Sequence, residues 1–370
     1  MRKLLVIFFV FALLAPSFLF AQEEPAPDRV FTARVIKIIE QKNIEREDGS
    51  MAVQQNILVR GLEKEWRDKE IAINGISDLD VISAQVYKTG DKVFISEVKN
   101  SDESVDYYVV DFARGGYLFL LALIFSIIIV VIGKKKGVKS LISLAVSFFI
   151  IIKFIVPKIL AGSSPLLVGV LGALIILSVI IYLTEGWSKK SHIAVFSVFC
   201  SLVITFLLSW FFTQITRLSG LAEEEATFLL GSNNGAMDFQ GLLLAGILIG
   251  AIGVLDDVIV GQVEAVRQIK KANPNLSKKQ IYQSAYEVGN THLGAIVNTL
   301  FLTYAGASLP LLLLFYVNPA GVVSFSQVIN NELIATEIVR TLVGSIGVAL
   351  SMPISTFFAV IWLKEKGRAD

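Results

Sequence analysis

Apolar and polar positions follow two different periods along this chain, and the change falls near residue 114. Before it, hydrophobic residues alternate with polar ones in short runs at 30–39, 53–59, 69–73, 93–98 and 107–112, the period of half-buried strands. Lys88-Thr89-Gly90-Asp91 reads as a turn entering the fourth run. Five short strands in about 85 residues predict a small β-barrel or sandwich of OB-like or SH3-like kind. After it, apolar stretches long enough to cross a hydrocarbon core lie near 115–133, 140–160, 164–184, 192–213, 240–259, 293–316 and 335–363. The expected fold is an all-α polytopic membrane domain of seven transmembrane helices preceded by a small exported β domain. Proline removes a backbone donor, so Ser351-Met352-Pro353 predicts a kink in the last span.

Composition supports the membrane assignment. The 370 residues are 54% hydrophobic and 18% charged, against about 25% charged in soluble domains, and the mean hydropathy is +0.67. Cys200 is the only cysteine, which excludes an intrachain disulfide and a zinc knuckle. His192 and His292 stand far apart in sequence and do not read as a multi-histidine metal site. Arg2 and Lys3 precede an apolar run from Leu4 to Leu14, and Ala21 is a plausible cleavage point. Residues 1–21 therefore read as a signal peptide, followed by an extracytoplasmic β domain at 22–114, the transmembrane domain at 115–363 and a tail at 364–370.

Charge sets the expected orientation. Lys134, Lys135, Lys136 and Lys139, then Lys189 and Lys190, then Arg267, Lys270, Lys271, Lys278 and Lys279 fall in alternate loops, and the tail adds Lys364, Lys366 and Arg368. The intervening loops hold only Lys158 and Arg217. The positive-inside rule then puts the β domain outside and the C-terminus in the cytoplasm. In the outer loop at 214–239, Ser219 is expected to cap a short helix at 221–230 that Gly231-Ser232-Asn233-Asn234-Gly235 ends, and Glu223, Glu224, Glu225 and Asp238 read as a solvated face. The inner stretch at 262–289 reads as two basic helices joined by a turn near Pro274, with anionic lipid as sufficient partner for the lysines.

The candidate chemistry lies in the fifth span, where Asp256 and Asp257 end an apolar run. Intramembrane carboxylates are costly and commonly mark a functional centre. Gly246, Gly250, Gly253 and Asp257 share one helix face, and Gly246 with Gly250 forms a GxxxG pair suited to close helix approach. Asp257 is therefore expected to point at a neighbouring helix, and Asp256, on the face of Ile252, Ile249 and Ala245, at the headgroup boundary. In the sixth span, Thr291, Ala295, Asn298, Leu302 and Ala305 form one stripe and His292, Thr299, Thr303 and Gly306 another. Antiparallel packing would bring His292 level with Asp257. These residues predict a cation or proton site of Asp257, His292 and Asn298, supported by Asp256 and Thr291. The alternative is that both aspartates cap and anchor the span at the inner headgroups. Arg340, three residues after Glu337, reads as a local ion pair, and Tyr304 as ordinary packing.

The strings FQGLLLAGILIGAIGVLDDVIVGQ (239–262) and VGNTHLGAIVNTLFLTYAGASLPLLLLF (288–315) resemble the YibE/F family of bacterial multi-pass membrane proteins, over roughly 105–365. The resemblance implies a membrane location and no particular activity. The family pattern implies an acidic residue immediately before the histidine of the second string, where this chain has Thr291.

Three functions compete on these residues. The first is a transporter or permease-like protein of the plasma membrane, driven by protons or Na+. The second is a non-transporting envelope accessory or assembly factor acting through its β domain. The third, an aspartic-type intramembrane enzyme, fails because neighbouring carboxylates on one helix diverge by about 100° and cannot share a proton. No motif calls for a cofactor or for nucleic acid. The expected partners are the lipid bilayer and a second copy or a paralogous membrane protein.

Overall fold

The computed structural model describes residues 29–45, 51–76, 86–99, 104–222, 224–232, 237–317 and 324–363. The expected signal peptide, the tail at 364–370, Glu223 and most of the break after residue 232 lie outside the described residues. The chain forms two compact units that divide between Ile128 and Ile129.

In the first unit each predicted run is a strand: β1 (Arg29–Glu45), β2 (Met51–Gly61), β3 (Glu70–Asn74), β4 (Lys92–Lys99) and β5 (Val105–Phe112). They pair antiparallel in the order β3-β2-β1-β4-β5. The edge strands β3 and β5 approach one another, so the sheet is strongly curled. Alternation in β1 sends Phe31, Ala33 and Val35 to the core, where Ile57, Val59, Val93 and Ile95 meet them. Trp66, on a 3-10 turn, stacks on Phe31 with centroids 4.5 Å apart and donates its indole N–H to Glu97. Gly61 makes room for that turn, since a Cβ there would lie 2.1 Å from the Trp66 carbonyl oxygen.

Tyr87 is locked to the sheet through its backbone. Its N–H donates to Gln55 Oε1 (2.6 Å) and its carbonyl accepts from Gln55 Nε2 (3.2 Å). Burial, then the Asp111 carboxylate, push its phenol above the ordinary value of about 10. A raised acid binds its proton more tightly in the folded state. Its contribution is thus complete below the unfolded phenol value and is lost as pH rises through the folded one. Urea unfolding of the full chain with Trp187, Trp210 and Trp362 replaced by Phe, followed by Trp66 fluorescence, should show the β unit weakening above about pH 10. Tyr87→Phe should flatten that dependence, and an unchanged slope would refute the assignment.

The second unit is helical. α1 (Gly115–Ile150) begins in the first unit and from Ile129 onward belongs to the second. It leads through a π-helical turn at Ile151–Ile155 into α2 (Val156–Leu160), and together they make a 46-residue apolar segment. α1 is not one straight rod. Lys134 has φ 50° and ψ −128°, and a Cβ on Gly137 would lie 2.2 Å from the Ile129 carbonyl oxygen. Residues eight apart in a straight helix are about 12 Å apart, so the chain bends back sharply at Lys134. α3 (Pro165–Glu185), α4 (Lys189–Ile215), the short α5 (Glu224–Ser232), α6 (Phe239–Ala272), α7 (Lys278–Ala307), α8 (Leu309–Val317), α9 (Phe325–Asn330) and α10 (Glu332–Trp362) follow.

Among the described residues, five segments are long and apolar enough to cross a membrane: α1 with α2, α3, α4, α6 and α10. The count differs from the expected seven at two places. The stretches at 115–133 and 140–160 form one helical segment bent at Lys134. The stretch at 293–316 is divided between α7 and α8 at Ser308, just before Pro310, which has no N–H to extend the α7 ladder. α10 runs unbroken through Pro353. The short helix expected at 221–230 begins at Glu224, and Ser219 instead donates its hydroxyl to Glu332.

α6 is the centre of this unit and packs against α3, α4, α7 and α10. Its buried positions include Leu244, Leu248, Leu255 and Ile259. Lipid supplies little hydrophobic drive between helices, so close approach at small residues matters. A Cβ on Gly169 of α3 would lie 2.5 Å from Ala245 Cβ, and one on Gly347 of α10 would lie 2.2 Å from the Thr205 hydroxyl of α4.

Candidate functional site

Asp238 caps α6 by accepting from the Gly241 N–H at 2.8 Å. From there the helix runs 34 residues, about 51 Å, well beyond a hydrocarbon core of about 30 Å. A five-residue connection follows, and a capping box of Ser277 and Gln280 starts α7. So short a link returns α7 antiparallel along α6, which sets Asp257 and His292 at one level.

The two residues line one cavity of about 300 Å³ between α6, α7 and α10. Asp257, Gly261 and Gln262 come from α6, Gly289 and His292 from α7, and Met352 from α10. Asp257 and His292 are both exposed. The buried Gln262 holds its base together. Its side-chain amide donates to the Ala285 carbonyl of α7 (3.2 Å) and the Thr356 hydroxyl of α10 (3.1 Å). A Cβ on Gly289 would lie 2.1 Å from Gln262 Nε2 and 2.7 Å from Met352 Cγ, so this glycine sets the spacing of the three helices.

The other expected site residues lie elsewhere. Asn298 and Thr291 are exposed outside the cavity, and Thr291 donates its hydroxyl to the Glu287 carbonyl at 3.0 Å. Asp256 is the more buried of the two aspartates. Its Oδ1 is buried and has no hydrogen-bond partner among the described residues. The glycine stripe is open rather than packed. Nothing lies within 4 Å of a Cβ built on Gly246, Gly253 or Gly261, and only Gly250 meets a neighbour, the Tyr304 hydroxyl of α7 at 2.6 Å. The bulky aliphatic faces of α6 carry the packing with α3, α4 and α10, which leaves the stripe uncovered along α7.

Residues 121–365 match the protein family described as YibE/F-like protein. The chain belongs to the YibE/F-like family. No curated protein and no solved structure matches it. The matched residues run from within α1 to just past α10 and contain the whole cavity, whereas the β sheet precedes them.

Three polar features of this YibE/F-like chain go beyond what its sequence pattern predicts. Gln262 opens the stretch that reads as two basic helices, and the structure buries it between three helices. The hydroxyls of Ser197, Ser201, Thr205, Ser209 and Thr213 recur every fourth residue on α4 and are all buried. That spacing was visible in the sequence and marks the packed face of a membrane helix. Tyr304 reaches across to Gly250 in the field of the Glu337–Arg340 pair, whose hydrogen bond is 2.7 Å.

Proposed function

We propose that this YibE/F-like protein is a transporter or permease-like protein of the cytoplasmic membrane, coupled to protons or Na+ through Asp257 and His292. The supporting observation is the cavity of about 300 Å³ in which one carboxylate and one imidazole from antiparallel helices face the same space. A carboxylate favours a cation, an imidazole changes charge near neutral pH, and together they can exchange a proton without any cofactor. The proposal counts seven spans, with the sharp bend at Lys134 separating the first two and α7 with α8 forming a broken sixth. The β unit, a small barrel, lies outside and the C-terminus in the cytoplasm, following the lysine-rich loops. The protein is not an enzyme in this reading.

Purified protein in vesicles with an entrapped pH dye and a panel of external cations tests it. The expected result is a dye response to protons or Na+ above that of protein-free vesicles; no response to any cation rejects the proposal.

One observation favours the accessory reading. Val30 and Tyr108, both on the register row of Ser96, and Val110 are 52%, 54% and 58% exposed and form an apolar patch on the sheet. Crosslinking from Tyr108 in intact cells tests it, and a variant that captures nothing leaves the patch without a partner.

A further inference from the structure

Asp256 does not line that cavity, and a second polar structure lies further along its own face of α6. Asp256, Val260, Val263 and Glu264 fall at i, i+4, i+7 and i+8, on one face of α6 directed at α3 and α4. A cavity of about 10 Å³, room for one water, lies one turn further along that face, between Ile181 and Glu185 of α3, Ser191 of α4, and Val260 and Val263. Lys190 closes it. Its ammonium donates to Glu185 Oε2 and, at 3.5 Å, to Glu264 Oε2. The backbone of the α3–α4 turn fixes this geometry. Gly186 has φ 79°, a conformation that favours glycine, and its carbonyl accepts from the Ser191 hydroxyl. Lys136 adds a weaker, exposed arm to Glu185 at 3.5 Å, and Arg267 holds Glu264. The charges acting on Asp256 are the Asp257 and Glu185 carboxylates.

We propose that the Lys190 bridge is a lid over a one-water vestibule that admits cytoplasmic water and protons to Asp256. Asp256 Oδ1 is buried and has no hydrogen-bond partner among the described residues, and Val260, one turn along the same helix face, lines the vestibule. The vestibule is separate from the Asp257–His292 cavity, which opens between α6, α7 and α10. The pair thus divides into one carboxylate per compartment, with Asp256 as the proton acceptor supplied through the lid. This deepens the transport reading and rests on it for its purpose. The test measures access rather than transport, so the two can fail independently.

The experiment uses the full chain with Cys200→Ala and Val260→Cys, in vesicles of known orientation, with a membrane-impermeant cationic thiol reagent. Val260 lines the vestibule and lies outside the Asp257–His292 cavity. The expected result is slow labelling from the cytoplasmic side and none from the other. Lys190→Met should accelerate it roughly fivefold, the cost of about 1 kcal/mol for a partly buried ion pair. Glu264→Gln, which breaks one arm only, should give a smaller increase, and Lys190→Arg should leave the rate unchanged. A control cysteine at Ile252, one turn deeper than Asp256, should stay unlabelled in every background. Absence of cytoplasmic labelling at Val260, or a rate indifferent to both Lys190→Met and Glu264→Gln, overturns the proposal. If dye-reported flux is absent while gated labelling remains, the transport reading fails and the lid stands.

Discussion

Asp257→Asn is expected to reduce proton- or Na+-driven flux by roughly tenfold or more, a loss of at least about 1.4 kcal/mol, in protein that still folds. The carboxylate lines the cavity and makes no hydrogen bond to another helix among the described residues, while the neighbouring Val258 and Ile259 carry the packing. The amide keeps the shape and removes the charge, so any loss belongs to the chemistry. His292→Gln should also reduce flux, and with Asp257→Asn it should add little, because two residues acting as one unit are not additive. Asn298→Ala and Thr291→Val, both outside the cavity, should stay near wild type. Equal effects at all four positions would mean that the cavity is not the transport site.

Gly169→Leu is expected to have the largest effect on folding. A Cβ there already falls 2.5 Å from Ala245 Cβ and 3.1 Å from its Cα, so the obstruction is a methyl fixed on the backbone carbon behind it and cannot rotate away. Overpacking of this kind costs about 1–3 kcal/mol where side chains can yield, and here α3 must move off the central helix. A marked fall in the thermal midpoint in detergent, with aggregation, is the predicted outcome. Gly246→Leu and Gly253→Leu have nothing within 4 Å and should leave the midpoint unchanged. The GxxxG spacing alone would have predicted the reverse. A large loss at Gly246 with tolerance at Gly169 would contradict the packing described here.

The strands were legible because alternation is a local signal, and β1 to β5 fall on the five predicted runs. Asp257 and His292 were legible together because a five-residue link forces adjacent helices antiparallel, so distances counted back from the turn give a common level. What covers a helix face was not legible. Spacing put Gly246, Gly253 and Asp257 on one stripe correctly, but burial depends on where α3, α4 and α10 arrive, and they chose the aliphatic faces. The same arrival of α3 placed Asp256 inside. Asn298 follows His292 by six residues, about 240° around the helix, which turns it away from the cavity despite its suitable depth. The partition of the apolar stretches into five segments rather than seven reflects the bend at Lys134 and the break at Ser308, and hydropathy alone responds to neither.

The central claim, that Asp257 and His292 face a water-filled cavity at membrane depth, is tested most directly by thiol access at Ile296. This residue lies one turn beyond His292 on the cavity wall. Ile296→Cys in a Cys200→Ala chain is predicted to react with a small membrane-impermeant thiol reagent, and Asp257→Asn should leave that reaction intact. Reaction with a lipid-soluble maleimide alone would place this wall against lipid and contradict the account.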